Sequence, residues 1–169
     1  MKHTVDNLKD HDHNLCMTLS KLLKEEMVLL KTPCASRDEL IDKLVERVYS
    51  TNRELPFPQK DVRNIVYTRE KIGGTLLPSG LSVPHARLKD FDGFILAVGT
   101  TAEPLFHEGL QIHMMALMIT SQSGAPWYLT TLAALTKISR DGEYFSRLCG
   151  AEDTDSFFRI LRERDPELA

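Results

Sequence analysis

Apolar residues recur along this chain in two rhythms, and their alternation organises it before any chemistry is considered. Residues 26–31 (EMVLLK) form a short apolar run of strand length, closed by Thr32-Pro33. Ser36 then begins a helix. Ser36 with Glu39 three residues on makes a capping box, and Leu40, Ile41, Leu44, Val45 and Val48 recur behind it at the spacing of one buried face. The stretch Leu55-Pro56-Phe57-Pro58 breaks the pattern, because each proline restricts itself and the residue before it. A second helix follows with Pro58 near its first turn, where a missing N–H costs nothing. Its expected apolar face is Val62, Ile65 and Val66, and Gly73-Gly74 ends it.

Two strand runs come next, 94–100 and 112–119, joined by a polar connection that contains Pro104 and Gly109. The second run is apolar on both sides, as a central strand covered by helices would be. Pro126 opens a long third helix, with Leu129, Leu132, Ala133 and Leu135 as its expected apolar face, and helical pieces around 144–148 and 157–161 close the chain. Strands alternating with helices predict an α/β fold: one domain, a mixed central sheet with helices packed on both faces. Residues 19–165 are expected to form this domain, with 1–18 as a flexible N-terminal tail.

Composition narrows the picture. The chain has 169 residues, 42% hydrophobic and 27% charged, which suits one globular domain and excludes wholesale disorder. No apolar run approaches the ~20 residues that span a bilayer. A net charge of -3 argues against phosphate-backbone binding to nucleic acid. Cys16, Cys34 and Cys149 are odd in number and far apart, so neither a disulfide framework nor a Cys-x-x-Cys site is expected. The opening residues MKHTVDNLKDHDHNL lack the apolar core of a signal peptide, and a cytoplasmic, reduced protein is expected. His11-Asp12-His13 could touch a metal, but a mobile tail preorganises nothing. No metal and no cofactor is expected.

The segment that argues for chemistry is 69–87, REKIGGTLLPSGLSVPHAR. His85 follows the strand-like Leu81-Ser82-Val83 and sits directly after Pro84, which has no N–H for a ladder, so the strand should end there. A histidine projecting from a strand end stands where open α/β sheets place ligands. Its imidazole can be neutral near pH 7 and nucleophilic at nitrogen. Arg69, three residues after Val66 and four after Ile65, falls by helical spacing on the apolar face, where a guanidinium needs an anionic partner. That partner is either a structural carboxylate or a phosphate on His85, and spacing leaves both open. Arg87 and Lys89 add positive charge, while Gly73, Gly74 and Gly80 keep the backbone open; no Gly-Lys-Ser/Thr follows, so this is not a Walker loop. His107 reads as a surface residue and His113 as a strand histidine. No acid or cysteine completes a metal set with them. Met114, Met115 and Met118 read as strand core, and Trp127 as packing at a helix start.

Arg69-Glu70, Gly74-Thr75 and Gly80-Leu81-Ser82-Val83-Pro84-His85-Ala86 together resemble the active-site stretch of enzyme IIA domains of the bacterial phosphotransferase system. The similarity is to the fructose/mannitol class, which includes the nitrogen-regulatory IIA proteins, and the order of elements agrees from about Leu19 to Asp165. The resemblance implies a phosphohistidine carrier, a phosphotransferase component. His85 would accept a phosphoryl group from an HPr-type phosphocarrier protein, and Arg69 would neutralise phosphate charge. Thr75, Arg87 and Tyr128 are further phosphate-supporting candidates. The pattern departs at Ser82, where alanine is common, at Pro78, where a small residue is usual, and at Tyr128. Many members carry a second histidine at the start of that helix, and a tyrosine can donate an O–H but brings no charge. Three functions remain: a regulatory carrier of the nitrogen type, a sugar-transport IIA relaying phosphate to a IIB domain for fructose, mannitol or a related sugar, and a binding module that has lost phosphorylation. The absence of an attached membrane or IIB segment and of the second histidine favours the first. Its partners would be the phosphocarrier and a regulatory target or IIB domain, with no nucleic acid and no membrane insertion.

Overall fold

A computed structural model describes residues 17–168. A short helix α1 (Leu19–Leu22) and a 3-10 turn (Glu25–Met27) lead into β1 (Val28–Thr32), and two long helices follow, α2 (Arg37–Thr51) and α3 (Gln59–Gly73). The edge segment β2 (Leu81–Ser82) and β3 (His85–Leu88) precedes a long hairpin, β4 (Phe94–His107) and β5 (Leu110–Ser121). Helices α4 (Ala125–Arg140), α5 (Gly142–Cys149) and α6 (Thr154–Glu163) complete the chain.

The sheet runs β1-β4-β5-β2, with β3 continuing beside β5. β4 and β5 are antiparallel, whereas β1 on β4 and β2 and β3 on β5 are parallel, so the sheet is mixed. Helices cover both faces. Gly99 lies against Leu40 and Leu44 of α2 on one side. Leu96, Val98 and Met114 meet Leu135, Ile138, Leu148 and Phe157 on the other. β5 is buried from Ile112 to Ser121 except His113, as its two-sided apolar pattern predicts.

The Ser36 hydroxyl accepts from Glu39 N at 3.1 Å, as the capping box requires, although Glu39 answers to Ala35 N and not to Ser36. All five expected face residues of α2 are fully buried. Elsewhere the periodicity needs correction. In α3 the buried stripe is Val62, Val66 and Glu70, and Ile65 is exposed. In α4 Leu129 and Ala133 face outward, while Tyr128, Thr131, Ala134, Leu135 and Ile138 face the sheet. The connection expected around Pro104 is strand: β4 runs through it, with a register shift between Thr100 and Leu105 that absorbs the missing N–H. The turn shrinks to Glu108-Gly109, both with positive φ.

The two ends of the fold meet. Leu168 N donates to Met17 O, and Thr18 bridges Glu167, so pairing begins two residues before the expected domain start. The remainder of the expected tail, with His11-Asp12-His13 and Cys16, lies outside the described residues. Among the described residues no helix is long and apolar enough to cross a membrane.

Candidate functional site

After α3 ends, the chain folds back along its own next segment. Leu76 bridges Ser82, Leu77 N donates to Leu81 O at 2.9 Å, and Val83 N donates to Thr75 O at 2.7 Å. The Val83 amide is therefore directed away from the sheet, Pro84 has none to give, and the edge strand is interrupted between β2 and β3. His85 was expected to project from a strand that stops at Pro84. Pairing instead resumes at once: Pro84 O accepts from Met118 N at 3.0 Å, and His85 opens β3 opposite Met118.

His85 is only 4% exposed. Above it lies Tyr128, in the first turn of α4, with ring centroids 4.6 Å apart and planes tilted by 41°. Arg87, two residues along the same strand face, holds its guanidinium 5.4 Å from the centre of the Tyr128 ring. His85, Tyr128 and Arg87 thus form one layered cluster, whereas the Thr75 carbonyl bonds Val83 and not a member of it. Burial, then the positive charges of Arg69 and Arg87, push the His85 imidazole down to about 4, opposed by the Val83 backbone. The ring is neutral at pH 7 and keeps a free lone pair. Its Nδ1 is sealed from solvent and has no hydrogen-bond partner.

Arg69 does not share the buried face that its spacing suggested. It is exposed, and its Nη1 donates to Gly73 O at 3.0 Å. Neither a carboxylate nor His85 bonds it; a backbone carbonyl does. Its charge nonetheless reaches the imidazole, as the depressed His85 shows.

The ionisable residue that does occupy the buried face of α3 is Glu70. Its carboxylate lies beneath Gly74, where any Cβ would run into Oε2, and it pairs with Arg37 Nη1 at 3.3 Å. Its Oε1 has no partner, and burial raises its pKa against the pull of Arg37 and Arg69. The four-residue spacing Val62, Val66, Glu70, followed by glycine four further on, is the signal that could have found it. His107 stands 3.7 Å from Glu108 at the hairpin turn, and His113 is half-buried against Gly80. Met114, Met115 and Met118 are core, and Trp127 is half-buried at the start of α4. Among the described residues no group of three or more histidine, cysteine or acidic side chains could hold a metal.

A buried histidine that feels the charges of Arg69 and Arg87 thus sits beneath the first turn of α4, on a domain of the enzyme IIA fold. Residues 21–164 match the family described as phosphoenolpyruvate-dependent sugar phosphotransferase system, EIIA 2, and the chain belongs to that family. Enzyme IIA domains of this system are phosphotransferase components, transferring a phosphoryl group through a histidine, and they interact with a phosphocarrier and with IIB domains. The chain is 27% identical over 161 residues to the 2-O-alpha-mannosyl-D-glycerate-specific EIIABC component of Escherichia coli K12, covering 92% of itself but only 24% of that much longer relative. Its fold matches nitrogen regulatory protein IIA-Ntr from Neisseria meningitidis, with a TM-score of 0.70 and 20% identity over 84% of this chain and 97% of that one. It also matches a complex of the E. coli mannitol enzyme IIA with phosphorylated enzyme IIB, with a TM-score of 0.67 and 18% identity over 84% and 98%.

Proposed function

We propose that this chain carries a phosphoryl group on His85, taken from an HPr-type phosphocarrier protein, and that it serves a regulatory role of the nitrogen type. The observation that carries the reading is the neutral, buried imidazole of His85 under the charges of Arg69 and Arg87. The same field acts in opposite senses before and after transfer. It repels a proton from the free ring, leaving the lone pair available, and it attracts the phosphate once that has arrived. Because Nδ1 is sealed, Nε2 is the nitrogen that meets the donor. Its lone pair attacks phosphorus, the P–N bond to the donor histidine breaks, and that electron pair returns to the donor ring.

The start of α4 supports the product state. Tyr128 places the helix's first turn over His85, so the positive end of the dipole lies on the phosphate side. At its N-cap, Gly124 packs against the buried, unpartnered hydroxyl of Thr120. Tyr128 is also what favours regulation over rapid relay. It supplies no charge beside the phosphohistidine, so transfer is slower and the phosphorylated state lives as a signal. The alternative is a sugar-transport IIA that passes phosphate to a IIB domain, and the 27% identity to a sugar-specific EIIABC component favours it.

Incubation with labelled phosphoenolpyruvate, enzyme I and an HPr-type carrier tests the reading. The label should be acid-labile and base-stable, and His85→Ala should abolish it. Label retained by that variant overturns the assignment of His85.

A further inference from the structure

We propose that the cavity between residues 78–80 and the junction of α4 with α5 binds a small polyhydroxylated anion, a sugar phosphate in chemical class. The cavity has a volume of about 480 Å³, within the usual range of metabolite sites. It is lined by Pro78, Ser79, His113, Ser139, Arg140 and Phe145 among others, and among the described residues no carboxylate lines it. None of the residues that form the His85 cluster takes part.

The lining divides into three chemistries. Arg140, the last residue of α4, offers an exposed guanidinium, and His113 offers ring nitrogens from the sheet side. The position of His113 is fixed by Gly80. Its amide donates to Gly80 O at 2.8 Å, and Gly80, with φ +91°, leaves room for the ring where a Cβ would collide with Cδ2. These two groups suit the charged end of a ligand.

Hydroxyls supply the second chemistry. Ser79 Oγ donates to Ser139 Oγ at 3.0 Å, and Ser139, 2% exposed, donates on to Thr136 O at 3.0 Å. Both serines have spent their protons, so their oxygens remain as acceptors, complementary to hydroxyl donors on a ligand. Pro78 and Phe145 form the third element, an apolar wall suited to the C–H face of a sugar ring. Bare phosphate would use only Arg140 and His113, and a neutral sugar only the serines. A molecule with both groups uses the whole cavity.

The site also has a place in the chain's architecture. Ser79 and Gly80 lead directly into β2 and thence to His85, so a ligand held there sits at the root of the segment that carries the histidine.

Titration of the full chain with glucose 6-phosphate, followed by amide NMR shifts, tests this. Saturable shifts are expected at Ser79, Gly80, His113, Arg140 and Phe145, with glucose and inorganic phosphate each binding at least about tenfold more weakly. Arg140→Ala, on an exposed side chain, should weaken binding by at least about tenfold, Ser79→Ala should weaken it less, and Arg69→Ala should leave it unchanged. Shifts confined to Thr75, Arg87 and Tyr128 would place the anion at the His85 site and overturn the proposal. An equal response to inorganic phosphate, or no saturation, would overturn it as well.

Discussion

Tyr128 lies with its ring 4.6 Å from that of His85 and helps to cover the imidazole. Burial is the largest cause of the low His85 value, and Tyr128 is part of the cover. The proportion of neutral His85 should therefore stay constant from about pH 8 to about pH 5 and fall only toward pH 4, where an unperturbed histidine would already have protonated near 6.5. Phosphorylation rate, after correction for the donor, should follow that curve; a midpoint near 6.5 would overturn it. The folded state holds fewer protons than the unfolded chain between about pH 6.5 and 4, so folding stability should drop as pH falls through that window. His85→Gln should flatten this part of the stability profile. Tyr128→Ala uncovers the ring and should raise the His85 pKa toward the ordinary value, read by NMR titration. Tyr128→Phe keeps the stacked ring and should change little. Tyr128→His replaces a neutral donor worth about 1 kcal/mol by a charged one worth about 1.5–3, and should raise phosphorylation several-fold. A Tyr128→His protein that is labelled no faster would end that account.

At the scale of elements, α3 shows why periodicity was legible in some places and misleading in others. Helix α2 was readable in full, because five aliphatic residues and a Ser/Glu cap all point one way. In α3 the same counting admitted Ile65 and excluded Glu70, since apolarity served as the mark of burial. The true stripe contains an acid neutralised by Arg37, a residue on another helix whose proximity no local pattern carries. Arg69, one residue before Glu70, is accordingly off the buried face and reaches His85 through charge alone. α4 is rotated in the same manner, with Tyr128 inside and Leu129 outside. Within the buried pair, Arg37→Ala should leave the Glu70 carboxylate uncompensated and cost about 3–5 kcal/mol, measured as a lowered urea midpoint. Glu70→Gln, which keeps the shape and removes the charge, should cost less. Equal stability of Arg37→Ala and the parent would show the pair to be idle.

For the whole molecule, the class of fold and the histidine strand could be read from the chain, but the neighbours of His85 could not. The parallel pairing of β3 with β5 and the placement of α4 over it are long-range facts, set by how the sheet closes. The helices that frame the site each expose a large apolar side chain: Ile72, 78% exposed on α3, and Leu129, 58% exposed on α4. An apolar pair on the helices that carry Arg69 and Tyr128 suits a transient protein partner. Ile72→Asp and Leu129→Asp should each raise the KM for the phosphocarrier while leaving thermal stability unchanged; a KM unaffected in both would remove these residues from the interface. The interrupted edge strand has a further consequence. Along β2 the outer edge is already occupied by residues 75–77, Val83 has turned its amide away from the sheet onto Thr75, and Pro84 has no amide. At the opposite edge Lys31 takes a left-handed φ of +48° where β1 slips register against β4. Along β2, and at Lys31 on the far margin, the sheet therefore offers another copy no straight row of free amides and carbonyls, which blunts strand-to-strand zipping into fibres at those points.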